Sequence, residues 1–142
     1  MNSEVLFSSK TDDWSTPQEF YDSLDAEFNF TLDPCADDTN HKCDKYFTKV
    51  QNGLVQDWSG ERVYCNPPYG KGIQEWVAKC ANHDGLAVML IPARTDTKWF
   101  HQFVYNRPNV KVRFVKGRLK FGNSKNSAPF PSMVVIFNGG QT

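Results

Sequence analysis

The chain has 142 residues, 39% of them hydrophobic and 14% aromatic, and its 16 Lys/Arg balance 16 Asp/Glu. That length holds one domain with a modest core, expected over 1–142 with residues 1–11 as a disordered tail, and the composition excludes a repeat or low-complexity chain. No basic region followed by a long apolar stretch opens the chain and no apolar run reaches membrane-spanning length, so a cytoplasmic protein without membrane contact is expected.

In chain order, Ser15-Thr16-Pro17-Gln18-Glu19 reads as a helix start, with Thr16 as N-cap, Pro17 at the first helical position and Glu19 closing a capping box. Phe20, Leu24 and Phe28 follow as an apolar stripe at helical spacing. Phe28 to Leu32 is expected as a short strand that delivers Asp33-Pro34-Cys35-Ala36 at its C-terminal end. Tyr46 to Thr48 reads as a second short strand and Asn52-Gly53 as a turn, after which Leu54 to Trp58 sets the Asp57 carboxylate beside an aromatic.

The apolar run Val63-Tyr64-Cys65 then leads into Asn66, and Ile73, Trp76, Val77 and Cys80 recur at helical spacing. Leu86 to Pro92 is apolar almost throughout, the mark of a strand covered on both faces. Thr97 to Tyr105 reads as a helix, Val110 to Val115 as an alternating strand, Lys116 to Gly122 as a basic turn and strand, and Ser132 to Phe137 as a last apolar strand. Helices alternating with buried strands predict an α/β fold around a mainly parallel sheet, where ligands bind beyond the carboxyl ends of the strands. Asp33, Asp57, Asn66 and Arg94 each follow an apparent strand and are expected to converge on one cleft.

Cys35, Cys43, Cys65 and Cys80, with His41, His83 and His101, form no C-x-x-C pair, so reduced thiols are expected rather than a metal site. The net charge of zero hides a division. Residues 1–66 carry five Lys/Arg against thirteen Asp/Glu, and residues 67–142 carry eleven against three, giving −8 and +8. A basic half is the usual footprint of a polyanion partner; the alternative is that the halves neutralise each other within the fold or across a dimer. Lys71, Arg94, Lys98, Lys116, Arg118 and Lys120 are the candidate contacts to such a polyanion.

The most specific motif is Asn66-Pro67-Pro68-Tyr69 at the end of an apolar strand. An exocyclic amine conjugated to a ring is a poor nucleophile until its lone pair is localised. The Asn66 side-chain oxygen and the Pro67 carbonyl would each accept one N–H of such an amine. Pro67 and Pro68 fix φ and offer no competing N–H, and Tyr69 supplies a face for an extruded base. The plain alternative is a strand ending in a Pro-Pro turn. Adenine N6 and protein glutamine both present a planar, conjugated NH2, so the motif alone does not name the acceptor.

Trp14-Ser15-Thr16-Pro17, Leu32-Asp33-Pro34-Cys35-Ala36, Asp57-Trp58, Asn66-Pro67-Pro68-Tyr69-Gly70, Ile91 to Phe100, Gly117 to Phe121 and Ala128 to Ser132 together resemble the phage-encoded DNA N6-adenine methyltransferases (Dam-like), in the family's order over residues 12–138. The resemblance implies a class I, Rossmann-like fold that uses S-adenosylmethionine, with a C-terminal antiparallel hairpin. It implies catalytic residues Asn66, Pro67, Pro68 and Tyr69, and a cofactor set of Trp14, Thr16, Pro17, Asp33, Pro34, Asp57 and Asn66. Within that set Asp33 would meet the methionine moiety, Thr16-Pro17 would close over it, and Asp57 would accept from the adenine amine. The function it implies is methyl transfer to adenine N6 of a base flipped out of duplex DNA, in the cytoplasm of a bacterial host. The alternatives are a methyltransferase for RNA adenine or protein glutamine, and an inactive nucleic-acid-binding module of the same fold. The chain departs from larger methyltransferases in having Asp37-Asp38-Thr39-Asn40 where a Gly-rich turn is expected.

Overall fold

A computed structural model describes residues 15–122 and 127–139. The tail at 1–11 and Trp14 lie outside them. Six strands form one sheet in the order β2-β1-β3-β4-β6-β5. They are β1 (Leu32–Ala36), β2 (Lys45–Thr48), β3 (Val63–Cys65), β4 (Leu86–Pro92), β5 (Val110–Phe114) and β6 (Ser132–Asn138). The strands β2, β1, β3 and β4 run parallel, and β6 is antiparallel to both β4 and β5.

Helices cover both faces, and the two-sided burial expected of β4 is found. Ala87, Met89 and Ile91 join Trp76, Val77 and Cys80 of α2 (Ile73–Asn82) in one core. The alternate residues Leu86, Val88 and Leu90 join Tyr21 and Leu24 of α1 (Gln18–Phe28) in the other. Every position of β4 is therefore buried, which is why it reads as a continuous apolar run.

Several local expectations are corrected. The first strand is Leu32–Ala36, so Asp33 lies within it. Residues 29–31 are consumed by the helix exit: Asn29 turns left-handed at φ 58°, and the Phe30 amide donates to the Asp25 carboxylate at 2.8 Å. Helix α1 has Pro17 as N-cap without a side-chain cap, and the Thr16 hydroxyl instead pairs with the Tyr64 hydroxyl at 2.5 Å. The Thr97 to Tyr105 stretch contains a π-helical turn, Phe100–Val104, closed by the Tyr105 amide on the Phe100 carbonyl at 2.8 Å. Asp57 follows no strand; a 3-10 turn, Gly53–Val55, precedes it. Lys116 to Gly122 forms no strand either, because Phe121 turns inward into the second core at 1% exposure instead of alternating on a sheet face.

The placing of the cleft follows from β1. Its chain neighbours lie on opposite sides, β2 on one and β3 on the other, which makes the end of β1 a topological switch point. Pairing with β3 is limited to Leu32 opposite Val63, and pairing with β2 slips between Asp33 and Ala36. Pro34 sits in that slip and has no amide hydrogen for a ladder. Past Leu32 the sheet therefore parts between β1 and β3.

Candidate active site

The parting holds a cavity of about 320 Å³. Pro34 to Asp37 at the end of β1 and Asn66 to Pro68 after β3 both line it, with Asn40, Thr48, Lys49, Asn52 and Gly53 from the segments around β2, and Ser15 and Trp76. The close approach of two loops shapes it. A Cβ on Gly53 would lie 2.1 Å from the Pro34 carbonyl oxygen, so only glycine lets the turn after β2 reach the end of β1.

Asn66 follows β3 directly and is half-buried, while Pro67 is buried and Pro68 exposed. The Tyr69 hydroxyl donates to Asn66 Oδ1 at 2.8 Å and lies 3.4 Å from the Leu90 carbonyl. Burial and the neighbouring Tyr64 push the Tyr69 phenol well above its ordinary range, so it remains a donor at neutral pH. Its ring meets Phe121 at 6.2 Å and 81° and Phe130 at 5.3 Å and 86°, both edge-to-face. Gly70 then turns the chain at φ 121°, a conformation suited to glycine, before α2 begins.

Asp33 is 5% exposed, and its oxygens accept from the amides of Lys42 at 2.9 Å and Cys35 at 3.3 Å. Burial outweighs those bonds and pushes the carboxyl up to about 6. Cys35 lines the cavity, and burial pushes its thiol up to about 12, which keeps it neutral. All four cysteines are free, and no group suited to a metal ion occurs among the described residues.

The convergence expected of Asp33, Asp57, Asn66 and Arg94 is met only in part. Asp57 does not line the cavity. It is exposed, and its Oδ1 accepts from the Ser59 hydroxyl at 2.6 Å and the Ser59 amide at 2.9 Å, bonds that hold it below the ordinary carboxylate range. The positive charges of Lys45 and Lys79 act in the same direction. Thr16 is buried on β3 and Pro17 opens α1, so of that segment Ser15 reaches the cavity.

Arg94 follows β4 and is exposed. Lys71 and Lys98 line a second groove, between α2 and the π-helical turn, with Trp99 and Phe103. Lys116, Arg118 and Lys120 are all exposed on the connection to β6, which also carries Phe121 and Phe130 onto Tyr69. Sequence reasoning missed Thr48, Lys49, Asn52 and Gly53 as cavity residues; the Asn52-Gly53 turn was visible, but not what it approaches.

A sequence model of the DNA N-6-adenine-methyltransferase (Dam) family matches residues 3–139. The chain belongs to the Dam family. The DNA N-6-adenine-methyltransferase of Escherichia phage T1 is 31% identical over 102 residues, 68% of this chain and 42% of the phage protein. YfdM of Escherichia coli (strain K12), whose name proposes a methyltransferase, is 38% identical over 66 residues, 41% of this chain and 71% of YfdM. The Dam-family chain described here thus spans less than half of the phage T1 relative. Among its described residues, no helix is long and apolar enough to cross a membrane.

Proposed function

We propose that this Dam-family chain transfers a methyl group from S-adenosylmethionine to N6 of an adenine flipped out of duplex DNA. The observation that carries the reading is that Asn66-Pro67-Pro68, the motif suited to activating a conjugated amine, lines the cavity at the switch point of the sheet. The strand order, with β6 antiparallel to β4 and paired antiparallel with β5 at the edge of the sheet, supports a class I, Rossmann-like reading.

The cavity suits the proposed cofactor chemically. Its size lies at the lower end of the range for small-ligand sites. Pro34, Pro67 and Trp76 offer apolar surface, while Asp37, Asn40 and Asn52 offer polar groups. S-adenosylmethionine carries no phosphate, so Asp37-Asp38-Thr39-Asn40 in place of a Gly-rich turn removes nothing that this ligand needs. When bound, it would supply the electrophilic methyl group.

The chain's own residues would do the rest. Asn66 Oδ1 and the Pro67 carbonyl accept the two N–H groups of the target amine and draw its lone pair out of conjugation. Tyr69, with Phe121 and Phe130 packed on it, supplies the aromatic surface beside that amine. The basic half, which contributes Lys71, Arg94, Lys98, Lys116, Arg118 and Lys120, favours a nucleic acid over a protein acceptor. Expression in a host lacking adenine methylation, followed by mass spectrometry of nucleosides, tests this. N6-methyladenine in DNA is expected; modified adenosine confined to RNA, or none from a folded protein, would overturn the reading.

A further inference from the structure

Asp33 is the one buried carboxylate among the described residues, and it is absent from the cavity lining although Pro34 to Asp37 follow it there. Both of its oxygens are engaged by the backbone. Oδ2 accepts from the Lys42 amide at 2.9 Å, and Oδ1 from the Cys35 amide at 3.3 Å. Lys42 is on the return leg of the loop between β1 and β2, whose tip is a self-contained turn. Asp37 and Asn40 exchange backbone hydrogen bonds at 3.3 and 3.2 Å, and Asp37 Oδ1 accepts from the Thr39 amide and hydroxyl, each at 2.9 Å. Asp37 and Asn40 both line the cavity.

The turn thus holds its own shape, and its seat against the sheet depends on what fastens the return leg. Lys42 Nζ reaches Gln18 at 3.0 Å and Tyr46 donates to Asp38 at 2.8 Å, both exposed side-chain pairs, His41 stacks on Tyr46 at 3.9 Å, and the buried Cys43 thiol meets the Tyr21 hydroxyl at 3.5 Å, a weak sulfur contact. A backbone amide held by a buried carboxylate is the stronger tie. We propose that Asp33 is a positioning residue for S-adenosylmethionine: it seats the Asp37–Asn40 turn against the cavity through the Lys42 amide and does not itself touch the ligand. This rests on reading the cavity as the cofactor site.

The test is calorimetric affinity of the full chain for S-adenosylmethionine and for 5′-methylthioadenosine, which lacks the amino-acid moiety, in wild type and Asp33→Asn. An asparagine keeps the shape and can serve only one of the two amides with its oxygen. If Asp33 acts through the turn, both affinities fall by the same factor, about tenfold. Hydrogen exchange should quicken at the Lys42 and Asn40 amides and stay unchanged in β4. A loss confined to S-adenosylmethionine would mean that Asp33 meets the amino-acid moiety directly, and undiminished affinity for both would remove it from binding; either overturns the inference. Should Asp33→Asn fail to fold, Asp33→Ser carries the same comparison without a buried amide. A wild type that binds neither ligand overturns the cofactor reading itself, whereas unequal losses from a wild type that binds both overturn only the role of Asp33.

Discussion

The Tyr69 hydroxyl donates to Asn66 Oδ1 at 2.8 Å, so the oxygen that the proposed chemistry requires already holds a donor. A carboxamide oxygen has two lone pairs, so accepting from the phenol is compatible with accepting from a target amine. The same bond sets which end of the carboxamide faces Tyr69. Acceptor and aromatic wall are thereby linked three residues apart.

Asn66→Ala should lower kcat by about 100-fold or more, by analogy with losing one preorganised hydrogen-bonding group at a reacting centre. Its affinity for S-adenosylmethionine should change little. Tyr69→Phe keeps the ring against Phe121 and Phe130 and should cost less than about tenfold in kcat, since a direct acceptor remains. Single-turnover kinetics of the two variants give the comparison; a larger loss in Tyr69→Phe than in Asn66→Ala would reverse the assignment of roles.

Asp57→Ala is expected to leave S-adenosylmethionine affinity unchanged. The carboxylate stands outside the cavity, and its partners are the Ser59 amide and hydroxyl. A clear loss of affinity by calorimetry would show that the turn rearranges on binding to bring Asp57 in.

Gly53→Ala tests the contact that shapes the cavity. With a Cβ 2.1 Å from the Pro34 oxygen, backbone has to shift, and overpacking of this kind costs about 1–3 kcal/mol. Thermal denaturation should show a lower Tm and calorimetry a weaker affinity for the cofactor. An unaltered Tm would mean that the two loops separate freely.

Asp33 makes stability depend on pH in an unusual direction. Its carboxyl is raised from 3.8 to about 6, because burial opposes the charge. A folded-state value above the unfolded one means that the contribution of this group is full below about pH 4 and is lost as pH rises through about 6. Relative to Asp33→Asn, wild type should therefore lose about 3 kcal/mol between those limits, an order-of-magnitude figure. Urea denaturation of both proteins at several pH values measures the difference, and a difference that grows in favour of wild type with rising pH would contradict the burial argument.

DNA binding should depend steeply on salt, with log K falling by about 0.9 per neutralised phosphate for each unit of log salt concentration. Changing Arg118 and Lys120 together to Ala should flatten that slope by about one to two and leave cofactor affinity intact. If the slope is unaltered, Lys71 and Lys98, which share the groove beside α2, become the contacts to change next.

The sequence by itself determined the elements whose signals are local. β4 is apolar at every position because both faces are covered, and Ile73, Trp76, Val77 and Cys80 repeat at helical spacing because one face of α2 is buried. Asn66-Pro67-Pro68-Tyr69 was legible for the same reason: a strand, a pair of prolines and an aromatic lie within a few residues. The tertiary structure alone decided which carboxylate stands near the cavity and where the cavity opens. Asp33 and Asp57 look alike in sequence, each beside a short apolar segment, yet one is buried against the Lys42 amide and the other turns to Ser59 in solvent. The opening between β1 and β3 arises from a strand pairing that stops at Leu32 and a glycine that touches Pro34 from nineteen residues away. Such contacts depend on which segments meet in space, and no periodicity or spacing along the chain encodes that meeting.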